Sequence, residues 1–218
     1  MSPRAKRSGH APSSRRRPAP RPAAGARIRA AFAESLRLLA QVYAREAPAI
    51  ERMGRVIAAT VRRGRTVFFA GNGGSAAEAQ HFATELVGRY VLDRRALPAI
   101  ALSADSTTLT AVANDYGYER IFARGIEALG RRGDLLIAMT TSGRSRNVLA
   151  AVHAARRRGM RVIGMTGGRG RGFARLCDDC LVVPSDETPR VQEVHLLVGH
   201  LWCGMAETAA LGPRRRRP

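Results

Sequence analysis

The chain has 218 residues, 45% of them apolar, and a formal net charge of +20. That length supports one α/β domain with a real core and is too short for two large ones. The charge suggests nucleic acid, but its distribution argues otherwise: residues 1–29 carry nine Lys/Arg and no acid, and Arg214 to Arg217 add four, leaving about +7 for the rest.

The first 26 residues are rich in Pro, Ala, Ser and Arg, with no large apolar residue after Met1. Such a stretch buries too little surface to offset its ordering entropy, so 1–26 reads as a disordered basic tail and 212–218 as a second basic tail. It lacks the apolar run of a secretory signal, and its prolines argue against an amphipathic transit helix. Non-specific attraction to polyanions is the most the tails imply, and a nucleic-acid partner is not expected, because no aromatic residues interleave the charges. Lysine occurs once, as Lys6, so the domain over 27–211 has none for Schiff-base, PLP or Walker-type chemistry.

Two helices are expected first, over 27–45 and 47–63, since Ile28, Phe32, Leu36, Leu39 and Tyr43 recur at steps of three and four. Five short apolar runs follow, at 66–70, 98–103, 134–140, 161–166 and 180–183. Helical patterns lie between most of them, at 75–89, 105–113 with 118–129, 145–158 and 170–176, and a last helix covers 190–210. Glu193, His195 and His200 interrupt that last segment, and no stretch is apolar enough to span a membrane. Regular alternation of strand and helix predicts an α/β three-layer sandwich around a five-stranded parallel sheet. Ligands in such sheets bind beyond the carboxyl ends of the strands, which singles out the loops 71–75, 103–108, 140–145 and 166–170.

The first of these loops is Gly71-Asn72-Gly73-Gly74-Ser75, between an apolar run and a helix. A glycine turn of this kind aims backbone N–H groups and a hydroxyl at the space above a helix start, which favours anions. The loop also satisfies the G-x-G-x-x-A dinucleotide pattern. The acidic residue that pattern needs after the next strand is missing, because Asp93 falls before that strand and Asp105 beyond it. A second cradle, Thr140-Thr141-Ser142-Gly143-Arg144-Ser145, opens the helix at Asn147. One Ser or Thr there would be an ordinary cap. Four hydroxyls in six residues, paired with the first cradle, favour a phosphate.

His81 and Glu85 lie four apart on the helix that follows the first cradle, so they share a face. The last helix offers them partners in Gln192, Glu193, His195 and His200. Imidazole and carboxylate groups suit Zn²⁺ or proton transfer. Gln192 and His200 are eight residues apart, about 12 Å along a helix and roughly 80° around it. Either Gln192 sits at a frayed helix start, or two subunits build the site together, which requires an obligate oligomer. Cys177, Cys180 and Cys203 fit a reducing, cytoplasmic compartment. The first two form a lone C-x-x-C beside Leu181-Val182-Val183 and read as buried or strand-edge thiols.

Taken together, Gly71-Asn72-Gly73-Gly74-Ser75, Gln80-His81-Phe82-Ala83-x-Glu85-Leu86-x-Gly88-Arg89-Tyr90, Pro98 to Leu102, Asn114-Asp115-Tyr116-Gly117, Thr141-Ser142-Gly143-x-Ser145, and Arg190 to His195 with His200 resemble the sugar isomerase (SIS) domain of the phosphoheptose isomerases. The resemblance covers about 30–210. It implies a flavodoxin-like SIS fold whose N-terminal helices pack in an oligomer, a homotetramer with active sites between subunits, and isomerisation of sedoheptulose 7-phosphate for heptose precursors. It further implies one Zn²⁺ per subunit, held by His81, Glu85, Gln192 and His200, with Glu85 as general base and His200 as general acid. Ser75, Thr140, Thr141, Ser142 and Ser145 would hold the phosphate. Asn72, Gly73, Gly74, Asn114, Asp115, Glu85 and Gln192 would meet the sugar. Thr84 stands where a second Glu is common. Related SIS proteins bind the initiator DnaA or sense sugar phosphates without turnover, and such proteins can dispense with Glu85 and His200.

Overall fold

Five apolar runs become five parallel strands in the computed structural model, which describes residues 23–211: β1 (Val67–Ala70), β2 (Ala99–Ala101), β3 (Leu135–Thr140), β4 (Arg161–Thr166) and β5 (Asp179–Val182). Their order is β2-β1-β3-β4-β5 and every neighbouring pair is parallel. The chain changes direction across the sheet between β1 and β3, and ligand crevices open at such a reversal. The two predicted cradles follow these two strands.

Among the described residues, seven α-helices flank the sheet: α1 (Ala24–Arg62), α2 (Gly74–Val87), α3 (Ser106–Tyr116), α4 (Ile121–Leu129), α5 (Arg146–Arg157), α6 (Arg171–Ala174) and α7 (Thr188–Leu211). Alternate strand residues face opposite layers. Phe69, Ile137 and Met165 pack with α1, α2 and α7, while Phe68, Leu136 and Val162 pack with α4 and α5. The central strands β1, β3 and β4 are buried on both faces, which is why they read as continuous apolar runs, while the edge strands β2 and β5 are only partly buried.

The expected pair of N-terminal helices is one helix, α1, with Pro48 inside it. A proline removes one helical hydrogen bond and usually ends the helix. Here Ala44 and Pro48 both lie on the exposed face, so water can serve the freed carbonyl, while Leu38, Val42, Ile50, Met53, Ile57 and Val61 stay buried on the other face. The tail expected over 1–26 is helical from Ala24 onward; residues 1–22 and the tail at 212–218 lie outside the described residues. Of the predicted stripe on α1, Leu39 packs against the core, whereas Ile28, Phe32, Leu36 and Tyr43 are between 59% and 76% exposed among the described residues.

Helix α7 carries a buried carboxylate and a buried imidazole. The Glu207 carboxylate accepts the backbone N–H groups of Tyr90 (3.0 Å), Val91 (3.0 Å) and Leu92 (2.9 Å), and Arg94 lies 3.6 Å away. Burial works to raise its pKa, but these donors outweigh it and hold the carboxyl below its usual value. His195 is fully buried and neither ring nitrogen has a well-formed hydrogen bond. Burial lowers its pKa to about 4, with the Thr166 backbone offsetting part of the effect.

The linkage sign for His195 follows directly. Between pH 6.5 and about 4 the unfolded chain takes up a proton that the folded chain refuses. Stability from this group is complete above pH 6.5 and falls on acidification, by on the order of 2 kcal/mol at about pH 5. Urea unfolding at about pH 7.5 and 5 should show a smaller loss for His195→Leu than for the parent. An equal loss in both would assign the acid sensitivity to other groups.

Candidate active site

The first cradle is shaped by backbone that only glycine adopts easily. Gly73 has φ of 55°, in the left-handed region, and it turns the chain from β1 into α2 with no side chain capping the helix. Gly74 leaves room for Gln192, whose Nε2 would lie 2.5 Å from a Cβ at that position. Gln192 Nε2 also donates to Ser75 Oγ at 3.4 Å. Asn72 is locked by reciprocal amide bonds with Asn147, at 2.9 and 2.7 Å, and accepts from the Tyr118 hydroxyl at 3.0 Å.

The second cradle lies beside it, after β3. Thr140 Oγ1 and Ser145 Oγ are 3.0 Å apart, Thr141 Oγ1 meets Thr188 Oγ1 at 3.3 Å, and the Arg144 N–H donates to Ser142 Oγ at 3.2 Å. Ser145 occupies the cap position of α5 without capping it. The hydroxyls are gathered around the loop, and the helix start behind them presents the positive end of its dipole.

Two turns along α2 lies a separate cluster. His81 Nε2 and His200 Nε2 face each other at 2.7 Å, and Glu85 Oε1 is 3.6 Å from His81 Nε2. These three donors lie within 4.8 Å of one another, and no other group of three His, Cys, Asp or Glu among the described residues does so. Two imidazoles and one carboxylate are donors that Zn²⁺ prefers; a tetrahedral Zn²⁺ places its ligand atoms about 3.3 Å apart, so the two imidazole nitrogens would have to part by about half an ångström to hold one. Tyr90 stacks on His200, with ring centroids 5.7 Å apart, and the Glu207 carboxylate holds the Tyr90 backbone.

Gln192 does not belong to this cluster in one chain. It lies in the body of α7, one turn past its start at Thr188, so it is not frayed, and it is held at Gly74 and Ser75. Helices α2 and α7 run side by side in the same direction, Gln192 opposite Gly74 and Gly199 opposite Phe82. The eight-residue separation from His200 is therefore real distance, about 12 Å. Asn114 and Asp115 pair with each other at 2.8 Å on the exposed end of α3. Glu193 turns to Ser35 and Arg190 of the α1–α7 contact, and His195 is core. Cys177 and Cys180 flank Gly164 as free, half-buried thiols.

Four contributors escaped the sequence reading. Asn147, Tyr118 and Glu207 act by long-range contacts that no local pattern reveals. Glu78 was visible as a carboxylate one turn after Ser75. It is 8% exposed, one of its oxygens has no partner, and burial raises its pKa to about 7 while the Ser75 hydroxyl works against the rise.

Residues 32–167 match the SIS domain family. The chain is 53% identical over 163 residues to the phosphoheptose isomerase of Rhodospirillum rubrum, covering 75% of this chain and 87% of that one. Among solved structures it is similar to a phosphoheptose isomerase from Francisella tularensis, with TM-score 0.82, 36% identity and coverage of 85% of this chain and 99% of that one. It is likewise similar to phosphoheptose isomerase GmhA from Neisseria gonorrhoeae, with TM-score 0.79, 38% identity and coverage of 84% and 98%.

The His81–His200 approach depends on Gly199, where a Cβ would stand 2.1 Å from the Phe82 ring. Gly199→Ala should force α2 and α7 apart and cost about 1–3 kcal/mol, lowering the melting temperature by roughly 2–10 °C. An unchanged melting temperature would mean that the two helices separate freely.

Proposed function

The chain belongs to the phosphoheptose isomerase family of SIS-domain proteins, and on that footing we propose how its residues convert sedoheptulose 7-phosphate to D-glycero-D-manno-heptose 7-phosphate. It is a ketose–aldose isomerase. The observation that carries the residue assignment is the convergence of His81, Glu85 and His200 on one edge of α2–α7, with two phosphate-type cradles side by side at the carboxyl end of the sheet. A protein that only binds DnaA or senses a sugar phosphate has no use for that convergence.

Ser75, Thr140, Thr141, Ser142 and Ser145 hold the phosphate, and Asn72, Gly73 and Gly74 meet the sugar, with Asn114 and Asp115 on the α3 side. Anchoring the phosphate keeps the distant C1 and C2 in register. The Glu85 carboxylate takes a proton from C1 while His200 gives one to the oxygen on C2. The resulting enediol collapses when Glu85 returns a proton to C2 and His200 takes back the proton of the C1 hydroxyl. A Zn²⁺ fits the donor set of His81, Glu85 and His200, and when bound it supplies Lewis acidity to the substrate oxygens.

The separation of Gln192 from that trio supports a site built by two subunits, in which Gln192 of a second subunit completes the ligand set. The exposed apolar residues Ile28, Phe32, Leu36 and Tyr43 on α1, with Leu197 and Leu201 on α7, supply surface for a homotetramer. No helix among the described residues is long and apolar enough to cross a membrane. The free thiols support a cytoplasmic setting.

Purified protein should isomerise sedoheptulose 7-phosphate, Glu85→Gln should lower kcat by about 10²–10⁴-fold, and His81→Ala should release bound Zn²⁺ with loss of turnover. Full activity in Glu85→Gln would remove Glu85 from the base role. Retention of one Zn²⁺ per chain in His81→Ala would remove His81 from the ligand set.

A further inference from the structure

The sequence Arg-Arg-Gly occurs three times, at 62–64, 131–133 and 157–159, each in the turn that enters a strand. Each glycine is left-handed, with φ of 68°, 90° and 70° in turn. Because β1, β3 and β4 are adjacent and parallel, the three turns lie side by side at the amino ends of the strands. That is the opposite end of the sheet from the two hydroxyl-lined cradles.

The arginine arms bridge from turn to turn. Arg65 Nε is 3.4 Å from where a Cβ on Gly133 would stand, and the Arg132 side chain is 3.5 Å from the same point on Gly159. A cavity of about 550 Å³ opens beside them, lined in part by Arg52, Arg55, Arg63 and Arg161. The carboxylates nearby are already engaged: Asp134 accepts the N–H groups of Thr66 and Arg131, and Asp179 pairs with Arg52 and Arg161. Among the described residues, no carboxylate forms an ion pair with Arg62, Arg63, Arg65, Arg131, Arg132 or Arg158.

A cation or two at a helix C-terminus is ordinary, since the dipole favours it. Six exposed arginines without a carboxylate partner among the described residues, only Arg158 being tied to a carbonyl, that of Gly130, exceed that need, and they repel one another unless an anion lies across them. Guanidinium forks match phosphate oxygens. The three turns contain no aromatic residue on which a base could stack. Helix α7 runs parallel to α1, with Glu193 at Ser35 and Trp202 at Ile50, so Leu211 ends near the same plateau. The sequence continues from there into Arg214 to Arg217.

We propose that this arginine ribbon binds the phosphate backbone of a nucleic acid without reading its bases. The basic tails alone gave no reason to expect such a partner, and the ribbon exists only because the sheet brings three distant turns together. The proposal is independent of the isomerase assignment, since none of these six arginines belongs to the two cradles or to the His81–Glu85–His200 cluster.

The test uses the full chain and a fluorescent single-stranded oligonucleotide of about 20 nucleotides, followed by anisotropy across a salt series. Arg63→Ser/Arg65→Ser/Arg132→Ser should bind about 10-fold or more weakly at low salt. The slope of log affinity against log salt should shrink by about 2 to 3, as expected for three lost phosphate contacts. Isomerase turnover and melting temperature should stay as in the parent, which separates lost binding from lost folding. A second variant with Arg214 to Arg217 replaced by serine measures what the C-terminal run adds. The proposal is overturned if the triple variant binds like the parent, if the parent binds no oligonucleotide at low salt, or if it binds anionic vesicles and not the oligonucleotide.

Discussion

The spacing between α2 and α7 is the constraint on which the site depends. Phe82 fills the notch that Gly199 leaves, and that contact sets how closely the two helices approach. One residue before Phe82 and one after Gly199, His81 and His200 are thereby brought to 2.7 Å. Neither histidine is buried enough to be fixed by its own packing, so their geometry is inherited from the apolar contact beneath them. The buried Arg94–Glu207 pair extends the same constraint outward. Arg94 donates to the carbonyls of Glu85, Leu86 and Gly88 at the end of α2, while Glu207 gathers the N–H groups that follow. Tyr90 is placed against His200 as a consequence.

A parallel sheet also sorts electrostatics by end. Every helix that follows a strand starts at the carboxyl end of the sheet, where free N–H groups favour anions, and finishes at the amino end, where free carbonyls favour cations. The two hydroxyl-lined cradles exploit the first property and the three Arg-Arg-Gly turns the second. The same topology therefore yields two regions whose electrostatics suit an anion for different reasons, one through oriented backbone dipoles and hydroxyls, the other through full charges.

Buried polar groups that are not part of the proposed chemistry show what the fold tolerates. His195 sits in the core as a neutral imidazole without a good partner, and Glu78 leaves one carboxylate oxygen unpaired. Each is costly where it stands. Glu78 adjoins Ser75 of the first cradle, so its cost is paid next to the proposed substrate site, whereas His195 faces the end of β4 and only makes the fold sensitive to acid.

The three central strands were legible in the sequence because a strand buried on both faces must be a short apolar run, and the two half-buried edge strands were legible because their shorter apolar runs still stand out against an arginine-rich background. The cradles were legible because a glycine turn and a hydroxyl-rich turn are local objects, and His81 with Glu85 because helical spacing is local too. The single helix through Pro48 was not, since the decision rests on which face of α1 meets α7. Asn147, Tyr118 and Glu207 were not, since each acts on a residue tens of positions away. The sequence left two readings of Gln192 and His200 open. Only the tertiary structure removed the frayed-helix reading, because it shows a well-formed α7 lying parallel to α2, and in a straight helix eight residues cannot fold back to one point. The sequence by itself determined the elements and the chemical groups; packing decided which groups meet, because distance between helices is set by side chains far apart in the chain.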